Sequence, residues 1–271
     1  MPVETTTRID TLFANCRSNR KKAFVAYVTC GDPSPAHTVS LVLALERGGA
    51  DLIELGVAFS DPIADGPVIQ RASDRALRAG ITLPGVLKIV QEIRRHSQVP
   101  LLLFSYLNPL LRYGFDKLAR DASDAGVDGV LLTDLCVEEA EDPVRRLREY
   151  GLDTIFLAAP TSTERRLGLV ADHSSGFIYL VSRTGVTGEQ TSVSQAAAPL
   201  VRRMRQLTTL PLAVGFGVST PKQVAEVAGI ADGVVVGSAI VKFIETNAAT
   251  PDLAAKLEEF TNHLTEPLRA L

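Results

Sequence analysis

The sequence predicts a single (β/α)8 barrel. Three observations carry this: eight short strand-like runs, helix-like stretches that alternate strictly with them, and strands that read as nearly continuous apolar runs. Runs such as VPLLLFSY and DGVVVGSA suit burial on both faces, as a parallel sheet with helical crossovers requires. Eight βα units in about 250 residues is the arithmetic of such a barrel. An open doubly wound sheet competes, but it commonly has fewer strands and shows GxGxxG after the first strand. Here the first strand is followed by CGDPSP.

The elements follow in order. Ile9, Leu12, Phe13 and Cys16 fall at i, i+3, i+4 and i+7, so residues 1–22 are expected to form a helical extension that plugs the N-terminal end of the barrel. Strands are expected at Phe24 to Thr29, Asp51 to Val57, Leu101 to Tyr106, Gly129 to Asp134, Thr154 to Pro160, Phe177 to Ser182, Pro211 to Gly217 and Gly233 to Ala239. Between and after them lie the helix-like HTVSLVLALERGG, LPGVLKIVQEIRRH, FDKLARDASDAG, EEAEDPVRRLREYG, TERRLGLVADHS, SQAAAPLVRRMRQL, TPKQVAEVAG and AIVKFIETN. No linker or low-complexity segment divides residues 1–271, so one domain suffices. Two connections are long: AFSDPIADGPVIQRASDRALRAG after the second strand and RTGVTGEQTSVSQ after the sixth. Both belong to the catalytic face of a barrel, as substrate contacts, lids or a docking surface for another protein.

Composition sets limits. With 46% hydrophobic and 22% charged residues, the 271-residue chain can bury a full core. Having no Trp and only 6% aromatic residues, it must build that core from Leu, Val, Ile and Ala. The net charge of -3 offers no surplus of cations for a phosphate backbone, which argues against nucleic-acid binding. No apolar run is long enough to cross a membrane, and MPVETTTRID lacks the apolar stretch of a signal peptide, so a cytoplasmic location is expected. Cys16, Cys30 and Cys136 form no CxxC pair, and the four histidines show no HxH or HExxH spacing; no metal is expected.

Two sets of residues could carry chemistry. Glu54 interrupts the apolar strand DLIELGV, and alternation turns it away from Ile53 and Leu55, toward the barrel mouth. Desolvation raises a carboxyl pKa and suits it to acid and base work near neutrality, although a structural carboxylate paired with a buried cation would read the same way. Asp61 and Asp65 follow seven and eleven positions later, either as carboxylate partners of Glu54 or as ordinary Asp-Pro and Asp-Gly turns. The second set is glycine-rich. VGFGVSTP and VVVGSAIVK close strands seven and eight, with Gly215 and Gly217 allowing close approach, Ser219 or Thr220 as a helix cap, and Gly237 and Ser238 at a strand-to-helix junction. Loops in these positions frequently bind phosphate in barrels. No Lys lies within an expected strand, which argues against a Schiff-base aldolase.

Seven ordered blocks, FVAYVTCGDP, ELGVAFSDPIADGPVIQRAS, FSYLNPLLRYG, GVLLTDLCVEE, YLVSRTGVTGE, VGFGVSTP and VVVGSAIVK, make the chain resemble the tryptophan synthase alpha subunit family over nearly its whole length. The resemblance implies a lyase that cleaves indole-3-glycerol phosphate to indole and glyceraldehyde 3-phosphate, without a cofactor, beside a beta subunit that consumes the indole in an alpha2beta2 complex. It matches Glu54 to the general acid and base, Asp65 to the acceptor of the indole N–H, and Tyr179 to a pocket tyrosine near the glutamate. Tyr27, Phe104, Tyr106, Leu131, Thr133, Leu157 and Phe216 match the indole and glycerol pocket, and Gly188, Gly217, Gly237 and Ser238 the phosphate site. Thr187 matches the threonine of the family's mobile sixth loop, and Asp61 a contact to the beta subunit. Relatives commonly have proline where Ala58 and Cys136 stand, which bears on loop geometry and partner coupling. Three alternatives share the frame: a free-standing lyase, a non-catalytic barrel that only activates a beta-like partner, and an indole-3-glycerol phosphate synthase, which needs a strand lysine missing here.

Overall fold

A computed structural model of the chain describes residues 6–182, 193–215 and 217–270. Helix α1 (Arg8–Ser18) opens it, capped by Thr7, whose side chain accepts from the Asp10 amide while the Asp10 carboxylate answers the Thr7 amide. The barrel follows: β1 (Ala23–Thr29), α2 (Pro35–Arg47), β2 (Leu52–Gly56), α3 (Pro67–Arg78), α4 (Leu83–Arg94), β3 (Leu101–Ser105), α5 (Leu107–Tyr113), α6 (Phe115–Ala125), β4 (Gly129–Leu132), α7 (Glu141–Glu149), β5 (Asp153–Ile155), β6 (Leu157–Ala158), α8 (Glu164–His173), β7 (Ile178–Val181), α9 (Val193–Arg205), β8 (Leu212–Gly215), α10 (Pro221–Ala228), β9 (Gly233–Val236), α11 (Ser238–Asn247) and α12 (Leu253–Thr265). Proline at the first turn of α2, α3, α4 and α10 presets a helical φ where no amide partner is needed.

Every strand pairing is parallel, and the order β5-β4-β3-β2-β1-β9-β8-β7-β6 is that of a barrel. The expected fifth strand is split at Phe156: its first half pairs with β4 and its second with β7. One continuous segment therefore ends the sheet on both sides and closes the ring through the chain itself. Its carbonyl still receives the Tyr179 amide at 3.1 Å. The result is the (β/α)8 class, with nine strands among the described residues in place of eight.

Alternation sorts the core into two clusters. Side chains such as Val28, Ile53, Leu55, Leu103 and Val234 pack outward against the helices. Val25, Leu52, Leu102, Leu131, Ile155, Tyr179, Ala213 and Val235 fill the lumen, and Ile9 and Phe13 of α1 join this inner cluster, with Phe13 set 5.5 Å from the Phe177 ring. Three helices depart from the sequence expectation: the short α5, which buries only Leu110, and α3 and α12. Helix α3 occupies the second half of the long connection after β2; it buries Ala72, Ser73 and Ala76, small residues that leave little apolar periodicity to read. Helix α12 buries Leu253, Leu257 and Leu264 at helical spacing, a signal that was present in the sequence. Among the described residues no helix is long and apolar enough to cross a membrane.

Candidate active site

Glu54 lies in β2, where Leu52 points into the lumen while Ile53 and Leu55 join the outer core; alternation turns Glu54 inward with Leu52. Its neighbours in register are Tyr27 on β1 and Leu102 on β3. The residue is 1% exposed, and its Oε1 has no hydrogen-bond partner among the described residues. Burial pushes the carboxyl up to about 8. Among the described residues no cation pairs with it, and burial alone accounts for the shift.

Two tyrosines flank this carboxyl. The phenols of Tyr27 and Tyr179 are both held protonated, first by burial. Asp65 and then Glu54 add to the effect on Tyr27, and Glu54 and Tyr27 to that on Tyr179. Each ring leans onto a glycine two positions further along the neighbouring strand. Tyr27 pairs with Glu54 and its hydroxyl lies 2.1 Å from where a Cβ on Gly56 would stand; Tyr179 pairs with Ala213 and lies 2.2 Å from the corresponding point on Gly215. Gly215, expected to admit a ligand, thus makes room for a phenol. These tyrosine–glycine pairs escape sequence reading because they depend on cross-strand register.

Asp65 closes the segment after β2 and sits half-buried against Tyr106. Burial raises its pKa to about 6, and a hydrogen bond from the Tyr106 hydroxyl pulls it back part of the way. The same hydroxyl accepts the Ala64 amide at 3.0 Å, and the Tyr106 ring lies 5.4 Å from Phe59. Phe104 stands edge-on to Tyr27 at 5.2 Å. Leu131 and Leu157 line the lumen, and beside Thr133 and Leu157 the face opens into a cavity of about 220 Å³. Asp61 is exposed, with the Ser60 hydroxyl donating to it at 2.6 Å, and it does not join Glu54.

On the far side of the mouth, Gly217 has φ +86, in the left-handed region, and Thr220 caps α10 reciprocally with Gln223. Gly237 precedes Ser238, the first residue of α11, and no described side chain caps that helix. Its leading amides are therefore open to an anion. Thr187, Gly188 and Phe216 lie outside the described residues. Among those described, no cluster of His, Cys, Asp and Glu has metal-site geometry.

The family model described as "Tryptophan synthase alpha chain" matches residues 13–268. The chain belongs to the tryptophan synthase alpha chain family. The family protein of Solibacter usitatus is 61% identical over 258 residues, 95% of this chain and 97% of that one, and that of Geobacter sulfurreducens is 49% identical over 96% and 98%. The crystal structure of tryptophan synthase subunit alpha from Legionella pneumophila superposes with TM-score 0.91 at 37% identity, over 98% of this chain and all of that one. A chain of the tryptophan synthase complex from Pyrococcus furiosus gives 0.81 at 38% identity, over 91% and 99%. As a tryptophan synthase alpha chain, the protein is a carbon–carbon lyase of tryptophan biosynthesis acting on indole-3-glycerol phosphate.

Proposed function

We propose that Glu54 is the general acid and base that cleaves indole-3-glycerol phosphate to indole and glyceraldehyde 3-phosphate, and that the indole passes to a beta subunit. The observation that carries this is the buried Glu54 carboxyl, its pKa pushed up to about 8 and one oxygen without a partner among the described residues. A neutral carboxyl donates its proton to the ring carbon that bears the glycerol side chain, which makes the indole a cationic leaving group. The carbon–carbon bond then breaks, its electrons return to the ring, and the carboxylate takes the proton of the side-chain hydroxyl as the aldehyde forms.

Asp65, ionised above about pH 6, faces the developing indole cation and accepts its N–H. Tyr179 borders the Glu54 carboxyl. Tyr27, Phe104, Tyr106, Leu131, Thr133, Leu157 and Phe216 shape the indole and glycerol pocket, and Thr187 serves the same site. Gly188, Gly217, Gly237 and Ser238 hold the phosphate, and the open amides of α11 support that assignment. The beta subunit, in an alpha2beta2 complex, docks over the segment after β2, where Asp61 is exposed and Ile63 is 86% exposed, with Leu111 of α5 also outward. Residues 1–271 act as one domain with 1–22 as its N-terminal extension, and a cytoplasmic setting fits an enzyme of amino-acid biosynthesis.

The test is indole release from indole-3-glycerol phosphate by the purified chain, with and without the beta subunit. Glu54→Gln is expected to lower turnover about a hundred- to ten-thousand-fold while substrate still binds. Near-normal turnover removes Glu54 from the mechanism. A lone chain as fast as the complex, with no binding of the beta subunit, selects the free-standing lyase.

A further inference from the structure

Asp65 is held by more than its own loop. The Gln70 side chain donates to the Asp65 carbonyl at 2.9 Å, and only Gly66 separates Asp65 from α3, so its position follows that helix. Helix α3 is in turn fastened at Arg75. The Arg75 guanidinium grips Asp32 in a two-pronged contact, Nε at 2.7 Å and Nη2 at 3.0 Å, and its third nitrogen donates to Glu245 at 2.6 Å. Arg71, one turn earlier, donates to both oxygens of Glu245 at 2.8 and 2.7 Å.

The two anchors belong to different parts of the site. Asp32, only 1% exposed, follows β1, the strand of Tyr27. Glu245 lies on α11, whose first residue is Ser238, beside the open amides. Tyr27, Ala72 of α3 and Val241 of α11 also form one apolar cluster. The guanidinium fork thus joins the helix behind Asp65 to the helix behind the phosphate end, and its planar geometry is one that a lysine cannot reproduce at both carboxylates.

We propose that Arg75 is a positioning residue that sets the distance between Asp65 and the phosphate-binding end of the site, so that the substrate's indole and phosphate are engaged together. This rests on the assignment of Asp65 given above. The effect is geometric: a misplacement of about 1 Å at a reacting centre costs on the order of a hundredfold in rate. A purely structural ion-pair cluster would instead change stability and leave the turnover of folded enzyme untouched.

The experiment is a double-mutant cycle in kcat for indole release, on the folded chain with its beta subunit. Glu245→Gln weakens the ties of both Arg71 and Arg75 to α11 and leaves the Asp32–Arg75 pair intact, and Arg75→Lys, as the second variant, separates the contribution of Arg75 from that of Arg71. Each is expected to lower kcat roughly ten- to a hundredfold and to shift the acid limb of the pH profile, while the affinity for glyceraldehyde 3-phosphate stays within about twofold. In an Asp65→Asn background the further loss from Glu245→Gln should shrink to within about threefold. If both variants melt earlier but turn over like wild type, or if Glu245→Gln costs its full factor in the Asp65→Asn background, the positioning role is overturned. If Asp65→Asn alone leaves turnover unchanged, the assignment of Asp65 fails instead.

Discussion

The hydroxyl of Tyr179 occupies the place that a side chain on Gly215 would need, 2.2 Å from the point where its Cβ would stand. Tyr179 is 5% exposed and its ring is packed in the lumen, so it has little room to retreat. Gly215→Ala is therefore expected to destabilise the fold by about 1 to 3 kcal/mol through overpacking and to depress indole release by moving a ring next to Glu54. Tyr179→Phe in the same background removes the clashing oxygen and should recover part of the stability. Thermal melts of the three proteins check this. A Gly215→Ala variant that melts and turns over like wild type would show that the ring moves freely.

The two carboxyls predict a bell-shaped pH dependence. Cleavage starts from protonated Glu54 and ionised Asp65, so kcat/KM should fall as pH rises through about 8 and as it falls through about 6. Glu54→Asp, which keeps a carboxyl but retracts it, should move the alkaline limb; Asp65→Asn should abolish the acid limb and lower turnover steeply. A flat profile between pH 5 and 9 would contradict both assignments.

Burying Glu54 has a cost in stability. Its folded pKa, about 8, lies above the ordinary 4.5, so across that window the folded state binds the extra proton and stability declines as pH rises. Asp153, raised by burial to about 6 despite the Thr7 hydroxyl at 2.5 Å, adds a decline in the lower part of the same range. Glu54→Gln should remove the larger part of this slope and stabilise the chain at pH 8 by a few kcal/mol, on the order expected for a shift of this size. Denaturant unfolding of both proteins at pH 5 and pH 8 measures it. Parallel slopes would mean that Glu54 is hydrated in solution.

Cys136 stands exposed with φ -62, inside the range a proline ring imposes, and its amide donates to no described backbone acceptor. Cys136→Pro should therefore raise Tm by about 1 to 4 °C by restricting the unfolded chain. Its effect on indole release should appear in how strongly the beta subunit stimulates the reaction, not in the rate of the isolated chain. A drop in Tm would show that the segment needs a conformation proline denies.

Gly237→Asp places a negative side chain where the α11 amides are open. Its Cβ meets Tyr27 Cβ at 3.4 Å, tight enough to require only a small adjustment. Affinity for substrate and for glyceraldehyde 3-phosphate should fall together, as titration of the folded variant would register. Unchanged affinity for both would move the phosphate elsewhere.

The sequence by itself determined the barrel and the direction in which Glu54 points, because both follow from local periodicity: apolar runs alternate with helices, and side chains alternate along a strand. An acid flanked by Ile53 and Leu55 was legible for the same reason. Helix α3 was hidden because its buried face is Ala72, Ser73 and Ala76, which signal close packing only once a partner helix is present. Tertiary structure alone decided that Glu54 meets no compensating cation among the described residues, that Tyr27 and Tyr179 lean onto Gly56 and Gly215, and that Arg75 reaches both Asp32 and Glu245. Those facts depend on register between strands and on residues as much as 170 positions apart in the chain, as Arg75 and Glu245 are. No periodicity within one segment carries that information, because it arises only when the ring closes and brings separate elements to the same end of the barrel.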